Sequence, residues 1–341
     1  MTVLVTGGSG LVGSHTIRAL LEEGTPVRAL VRPPSRHLVE APGVQVVEGD
    51  VTDERTWRHA ANSVAGVIHC AAVIAQRGTR SDFFDVNVGG TRLAVAAARA
   101  AEVRLVHISS VAVYGRGNAY AAGAGHVDED FQFGPLWDHD YYAQSKRKAE
   151  QMVWDGVAAG ADAAVLRPNV IYGERDRLLS PRVLSAIRQG IVPQVGTGTN
   201  HLSCVYAGNV AAAAVLALRT PSAGGRAFNT TDDGPDRHTQ RGFVDAFADA
   251  LGIRVRRIRL PYGVARVAVD LWARWQMLRS PGRYPGVGGA AVRFLAEENP
   301  FAAERARREL GWHPVTTPRD AVARTVQWLL ENEKPGSKPG L

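Results

Sequence analysis

The chain has 341 residues, 45% hydrophobic and 21% charged, a balance that suits a packed globular protein and excludes a disordered one. Its formal net charge is +7, but only four of the 40 basic residues are lysines (Lys146, Lys148, Lys334 and Lys338). The arginines are spread along the chain with no nucleic-acid motif beside them, so no nucleic-acid partner is expected.

The elements follow in chain order. Short β-branched runs at Val3 to Val5, Val27 to Val31, Val44 to Val47, Gly66 to His69, Val103 to Ile108 and Ala163 to Leu166 predict strands. Helical patterns fall between them at 11–23, 54–61, 83–101 and 141–159. This alternation predicts an α/β protein with a doubly wound parallel sheet of Rossmann type. After Pro168 the rhythm changes: helices are expected at 180–190, 208–219, 240–251, 262–279, 288–297, 301–310 and 317–332, with one further strand at Ala227 to Asn229. The division this implies is a dinucleotide-binding domain over 1–175, to which 203–232 returns. A smaller, helix-rich substrate lobe comprises 176–202 and 233–332, and the tail 333–341 is expected to fray.

A first strand at Val3 leaves no length for a signal or transit peptide, and no apolar run reaches membrane-spanning length. Two scattered cysteines, Cys70 and Cys204, make neither a disulfide framework nor a zinc site, and no metal is expected. A cytoplasmic protein is therefore expected.

Thr6-Gly7-Gly8-Ser9-Gly10-Leu11-Val12-Gly13 follows the first strand and opens the first helix. Gly7, Gly10 and Gly13 let the chain turn sharply and bring backbone N–H groups to a pyrophosphate, beside a helix N-terminus of partial positive charge. Thr6, Leu11 and Val12 belong to the same cradle. Arg32 ends the second strand, where an NAD site carries an acidic residue for the ribose 2′-OH. An arginine there, with help from Arg36, suits a 2′-phosphate, so NADP is expected over NAD.

From this point the chain resembles the extended short-chain dehydrogenases/reductases (the NAD-dependent epimerase/dehydratase type) along nearly its whole length. Gly49-Asp50-Val51, His69-Cys70-Ala71-Ala72 and Asn87-Val88-Gly89-Gly90-Thr91 are similar to segments of that family, as are Ser109-Ser110-Val111-Ala112-Val113-Tyr114-Gly115 and Tyr142-Ala143-Gln144-Ser145-Lys146. Leu166-Arg167-Pro168-Asn169-Val170-Ile171-Tyr172-Gly173 and Leu310-Gly311-Trp312-His313-Pro314 complete the pattern. The resemblance implies cofactor contacts from Asp50, Val51, Ala71, Ala72, Asn87, Ser109, Pro168 and Val170.

The catalytic set has its own physical logic. Tyr142 and Lys146 are four apart in a helical stretch and share one face. An ammonium beside a phenol favours the phenolate, while Ser110, after the fifth strand, can donate to a substrate oxygen. Ketone reduction then takes hydride from the nicotinamide and a proton from Tyr142; alcohol oxidation is the reverse. His69 and His107 are expected as core residues with one hydrogen bond, and Asp128-Glu129-Asp130 as a solvated loop.

The substrate is read from what is missing. Sugar-nucleotide members of the resembled family carry an arginine and an aspartate where this chain has Leu202 and Asn209. Leu260-Pro261-Tyr262 and the apolar helix after it are similar instead to the 3-beta-hydroxysteroid dehydrogenase-like branch. On that helix Val264, Val267, Ala268, Leu271, Trp272, Trp275 and Leu278 fall at helical spacing and are expected to wall an apolar substrate pocket or face the core. With Arg266, Arg274, Arg279 and Arg283 nearby, a membrane-surface helix is a further reading. The expected activity is a ketone/secondary-alcohol oxidoreductase acting on a sterol-, polyketide- or acyl-like molecule, in a homodimer. The alternatives are an NDP-sugar epimerase, dehydratase or reductase, with Arg182 or Arg188 holding phosphate, and a non-catalytic NADP-sensing regulator.

Overall fold

The computed structural model describes residues 1–74, 78–280 and 289–332; the tail 333–341 and Arg283 lie outside the described residues. The first half builds strands β1 (Val3–Thr6), β2 (Val27–Val31), β3 (Val44–Glu48), β4 (Gly66–His69), β5 (Leu105–Ile108) and β6 (Ala163–Pro168). Between them lie helices α1 (Leu11–Glu22), α2 (Glu54–Ala60), α3 (Arg80–Phe84), α4 (Gly90–Ala100), α5 (Arg116–Ala121) and α6 (Tyr141–Ala158). The second half adds β7 (Val170–Tyr172), α7 (Ser180–Arg188), β8 (Ile191–Val195), β9 (Cys204–Tyr206), α8 (Ala207–Arg219) and β10 (Ala227–Thr230). It closes with α9 (Gln240–Leu251), β11 (Arg256–Leu260), α10 (Tyr262–Arg279), α11 (Gly289–Ala296), α12 (Glu304–Leu310) and α13 (Pro318–Glu331).

The main sheet has seven strands in the order β10-β6-β5-β4-β1-β2-β3, all parallel. Parallel strands buried on both faces read as continuous apolar runs, and all four residues of β1 are buried. Alternate side chains then serve opposite layers. Val3 and Val5 pack with Ile17 and Leu20 of α1 and with Ala213, Ala214 and Ala217 of α8. Leu4 packs on the other face with Trp57, Leu93, Ala94 and Val153. The strand order reverses between β1 and β4, and the crevice beyond their carboxyl ends is where such sheets bind ligands.

A third core holds the smaller lobe, where Leu184, Ile187, Leu202, Phe243, Phe247 and Val326 pack together. Two short parallel pairs, β7 with β9 and β8 with β11, stiffen it. These four strands were not legible as strands. They are three to five residues long, β8 contains Pro193, and β11 reads Arg-Arg-Ile-Arg-Leu with its outer residues exposed.

Two expected helices differ. The stretch 83–101 is broken by a π-helical turn over Asp85–Gly89, which separates α3 from α4 and faces Asn87 inward. The stretch 301–310 becomes helical only at Glu304, because buried Phe301 bridges to Val127 in extended form.

Candidate active site

The cofactor loop is forced by close packing. Gly7 has φ +68°, and a Cβ there would lie 2.8 Å from the Ala71 backbone of the neighbouring strand's exit. A Cβ on Gly13 would lie 2.2 Å from the Gly7 carbonyl oxygen, so neither position admits a side chain. At Gly10 the only atom of the described residues within 4 Å of such a Cβ is the Gly7 oxygen at 3.2 Å. The first turn of α1 has no side-chain cap and no acidic residue, so its N–H groups are free. Thr6 ties the floor together: its hydroxyl lies 2.8 Å from His69 Nδ1 and accepts from the Ala71 N–H at 3.2 Å. The open cradle formed where Gly7, Gly10 and Gly13 meet the Ala71 backbone, at a helix N-terminus, fits a dinucleotide pyrophosphate.

The three residues expected to be catalytic lie on two elements: Ser110 just after β5, and Tyr142 and Lys146 on the first turns of α6. Asp140 caps α6, its carboxylate accepting from the Ala143 N–H at 3.0 Å, and sets Tyr142 in the first turn. One turn later Lys146 is buried, and its ammonium donates to the Ile108 carbonyl oxygen at 2.6 Å. Ser110 follows two residues after Ile108. Its Oγ accepts from the Ala112 N–H at 3.2 Å, which leaves the hydroxyl proton to donate elsewhere.

Burial lowers the Lys146 pKa from 10.5 to about 8, against the opposing pull of the Glu150 carboxylate. That drop corresponds to ~3 kcal/mol favouring the neutral amine. Above about pH 8 the folded protein sheds a proton that the unfolded chain keeps up to 10.5, so stability rises with pH in that window. Below it the full penalty applies. Lys146→Met is therefore expected to stabilise the fold at neutral pH by up to ~2 kcal/mol, after ~1 kcal/mol or more is lost at the unpaired Ile108 carbonyl. This advantage should vanish toward about pH 10, while turnover is lost throughout. Denaturant titrations of both proteins across that range check it; an unchanging difference contradicts it.

Asn87 joins the two halves of the site. Its carboxamide accepts from the Val73 N–H at 2.7 Å, donates to the Val73 carbonyl at 3.0 Å and donates to Ser145 Oγ at 2.9 Å. Ser145 Oγ in turn donates to the Tyr142 carbonyl at 2.9 Å. The loop after β4 is thus pinned to the helix that carries Tyr142 and Lys146.

A buried ionic network lies behind this set. The Arg167 guanidinium pairs with Glu150, which sits one turn after Lys146, and donates to Tyr114 Oη at 2.8 Å. Ser109 Oγ donates to Glu150 Oε2 at 2.7 Å, so its hydroxyl is committed to this network. Sequence reasoning missed the network, although the four-residue spacing of Lys146 and Glu150 was its visible sign.

The remaining candidates divide. Arg32 is exposed, and its guanidinium has no ion-pair or hydrogen-bond partner among the described residues. Arg36 differs: it is held by Glu40 at 2.6 Å and Glu48 at 2.7 Å, and so is already paired. The Asp50 carboxylate turns to Thr52, accepting from its N–H and hydroxyl at 2.9 and 2.8 Å. The Val51 carbonyl accepts from Trp57 Nε1 at 2.8 Å. Pro168 ends β6 in the core, and Val170 begins β7 with 38% of its surface exposed.

Three expectations, on Glu129, His107 and the α10 stripe, need correction, and the one on Leu202 and Asn209 does not. Glu129 is not a solvated acid: it is buried, accepts from the Asn229 N–H at 2.6 Å and lies 3.5 Å from Arg305. Burial pushes its pKa up. His107 is buried with neither ring nitrogen partnered among the described residues, although one hydrogen bond was expected. It stacks on His69 at 5.7 Å, and burial first, then the Lys146 charge, hold both rings neutral, His69 at about 3. Leu202 lies in the lobe core and Asn209 is fully buried, accepting from the Val315 and Thr316 N–H groups and donating to Asp233. Lastly, the apolar stripe on α10 walls no pocket, for its residues face outward. The helix meets the protein through Ala265 and Val269, which pack with Val195 and Val292.

Comparison with known proteins matches this geometry. Residues 4–262 match the 3-beta hydroxysteroid dehydrogenase/isomerase family. A 4-hydroxy-2-methyl-3-oxo-4-farnesyl-3,4-dihydroquinoline-1-oxide ketoreductase of Stigmatella aurantiaca is 33% identical, over 92% of this chain and 92% of that protein. A 2-alkyl-3-oxoalkanoate reductase of Stenotrophomonas maltophilia is 32% identical, over 95% and 98%. Among solved structures, gox2253 superposes with a TM-score of 0.77 at 25% identity, covering 97% of this chain and 98% of that one. The chain belongs to the 3-beta hydroxysteroid dehydrogenase/isomerase family, within the extended short-chain dehydrogenases/reductases, and is an NAD(P)-dependent oxidoreductase.

Proposed function

We propose that this enzyme interconverts a ketone and a secondary alcohol on an apolar substrate, with Tyr142 as proton donor and acceptor and NADP as the preferred cofactor. The observation that carries the reading is the Lys146 ammonium, buried one turn after Tyr142 on the same helix and fixed on the carbonyl of Ile108, two residues before Ser110. When bound, the nicotinamide supplies or accepts the hydride at the carbonyl carbon. Ser110 donates its free hydroxyl proton to the substrate oxygen, and Tyr142 delivers the proton that makes it an alcohol. The Lys146 charge stabilises the phenolate left on Tyr142. An intact set of this kind argues against a regulator that only senses NADP.

The two relatives named above reduce a farnesyl-bearing and an alkyl-bearing ketone by their names, which supports an apolar substrate here. The position of Leu202 supports it too. A nucleotide-sugar enzyme must pair two phosphates, and unpaired ones in a closed lobe cost several kcal/mol. The side chain at that position is part of the lobe's apolar core. NADP is supported by the unpaired guanidinium of Arg32. The two free thiols support our reading of a cytoplasmic enzyme; no described helix is long and apolar enough to cross a membrane.

The test is a thermal-shift panel with NADP bound, setting UDP-, dTDP- and GDP-sugars against sterols, β-keto acyl chains and aromatic polyketides. A shift with an apolar ketone or alcohol is expected. A shift with a nucleotide sugar and none with any apolar compound would reverse the reading.

A further inference from the structure

A cavity of about 540 Å³ opens where α1 meets the smaller lobe, a size that suits a small molecule. Helix α1 lines it with Ser14 and Arg18, the loop after β7 with Glu174 and Arg175, and α13 with Arg324 and Trp328. Its walls belong to two cores: Ile17 and Leu20 of α1 pack in the sheet core, Val322 and Val326 of α13 in the lobe core. The catalytic helix α6 covers the other face of the sheet, where Val153 packs with Leu4.

Arg175 is the anomaly in this wall. Its backbone has φ +73°, a left-handed conformation that is costly for a long side chain and that gathers at ligand clamps and switch regions. Its guanidinium donates to the Leu38 carbonyl oxygen at 3.0 Å, while Nη1 is buried without a partner among the described residues. The charges that act on it, Arg177 and Arg18, share its sign; burial first, then those two arginines, lower its pKa. An anion beside the guanidinium would offset both the like charges and the missing partner.

The other charged groups of the cavity have partners, with one exception. Arg18 and His15 each lie 3.3 Å from Glu174, which also accepts from the Tyr206 hydroxyl at 2.7 Å. Glu331 accepts from Gln327 at 2.8 Å. Arg324 is exposed and forms no ion pair among the described residues. Arg175 and Arg324 therefore line the cavity without a counter-ion, and their planar forks match phosphate oxygens. Trp328 packs against the lobe core and also lines the cavity, offering part of an indole ring on which a base can stack.

We propose that this cavity binds a second nucleotide, distinct from the catalytic dinucleotide, with its phosphates on Arg175 and Arg324 and its base against Trp328. The occupant would touch α1 and α13 together, and so tie the sheet layer to the smaller lobe. It makes no use of Tyr142, Lys146 or Ser110, so it stands or falls apart from the proposed reaction.

The experiment is calorimetric titration of the full-length protein, first saturated with NADP, with ADP and with inorganic phosphate. One ADP per chain is expected to bind, roughly tenfold more tightly than phosphate alone. Arg324→Ala should weaken ADP roughly tenfold, and Arg175→Asn about tenfold or more. Without ADP, the melting temperature of Arg175→Asn should not fall, because asparagine tolerates the left-handed backbone and removes the charge repulsion. Turnover without ADP should be unchanged in both variants. Failure of ADP to bind the NADP-saturated protein overturns the proposal. So does ADP binding that both variants leave unchanged, which would put ADP in the cofactor cradle. Phosphate binding as tight as that of ADP overturns the nucleotide assignment and leaves an adventitious ion only. Should Arg175→Asn fail to fold, Arg324→Ala decides alone, since its exposed side chain has no ion pair to lose.

Discussion

Tyr142→Phe is expected to lower turnover by roughly 10²–10⁴-fold, the usual worth of a positioned general acid or base. The substitution removes one oxygen from a half-buried side chain and leaves the contacts that fix the helix in place. Asp140 still caps it, Ser145 still bonds the backbone of residue 142, and Lys146 still reaches Ile108. Cofactor affinity should therefore stay nearly constant while kcat falls. The deprotonation of Lys146 offers a companion readout. As pH rises through about 8 the free enzyme's Lys146 loses its charge, the phenolate loses its partner, and kcat/KM for reduction should decline on the alkaline side. Steady-state kinetics with an accepted ketone check both. Turnover near that of the unmodified enzyme in Tyr142→Phe would remove the tyrosine from the mechanism.

The second large effect concerns the cofactor's 2′ substituent. Arg32 directly follows β2, exposed and with no guanidinium partner among the described residues, and a charge-assisted pair with a phosphate is worth ~1.5–3 kcal/mol. Arg32→Asp should weaken NADPH roughly tenfold to hundredfold, and an aspartate there can accept from a ribose hydroxyl, so NADH should gain in relative terms. Arg36→Ala should matter little for discrimination, since Glu40 and Glu48 already occupy that side chain. Calorimetric titration of both nucleotides settles it: unchanged preference in Arg32→Asp means that this arginine plays no part in the choice.

The fold was legible wherever periodicity and burial agree. Strands β1, β4, β5 and β6 are buried along their whole length because both faces of the parallel sheet are covered there, and the glycine loop is dictated by positions where a Cβ meets backbone. Tyr142, Lys146 and Ser110 could be singled out in the sequence because the proposed chemistry calls for their types and the helix repeat sets the first two on one face. What stayed hidden depends on contacts distant in sequence. Asn87 reaches Ser145 across 58 positions, and Glu129 leaves solvent only because Asn229 and Arg305 come to it. The stripe on α10 failed differently. Helical spacing of apolar residues tells which side is apolar, and says nothing about whether that side meets the protein or its surroundings. Of the short strands, β7 and β9 have three residues each, β8 carries Pro193 and β11 carries three arginines, so no apolar run marks them.

The most direct measurement of the central claim is isotope transfer from reduced cofactor. Incubated with NADPH deuterated at the nicotinamide C4 position and an apolar ketone selected by ligand-induced stabilisation, the enzyme should place one deuterium on the carbon that was the carbonyl. The product should be the secondary alcohol, and Tyr142→Phe should slow its formation without moving the label. A transformed substrate carrying no deuterium, or a bound nucleotide sugar epimerised with no net consumption of NADPH, would contradict the account.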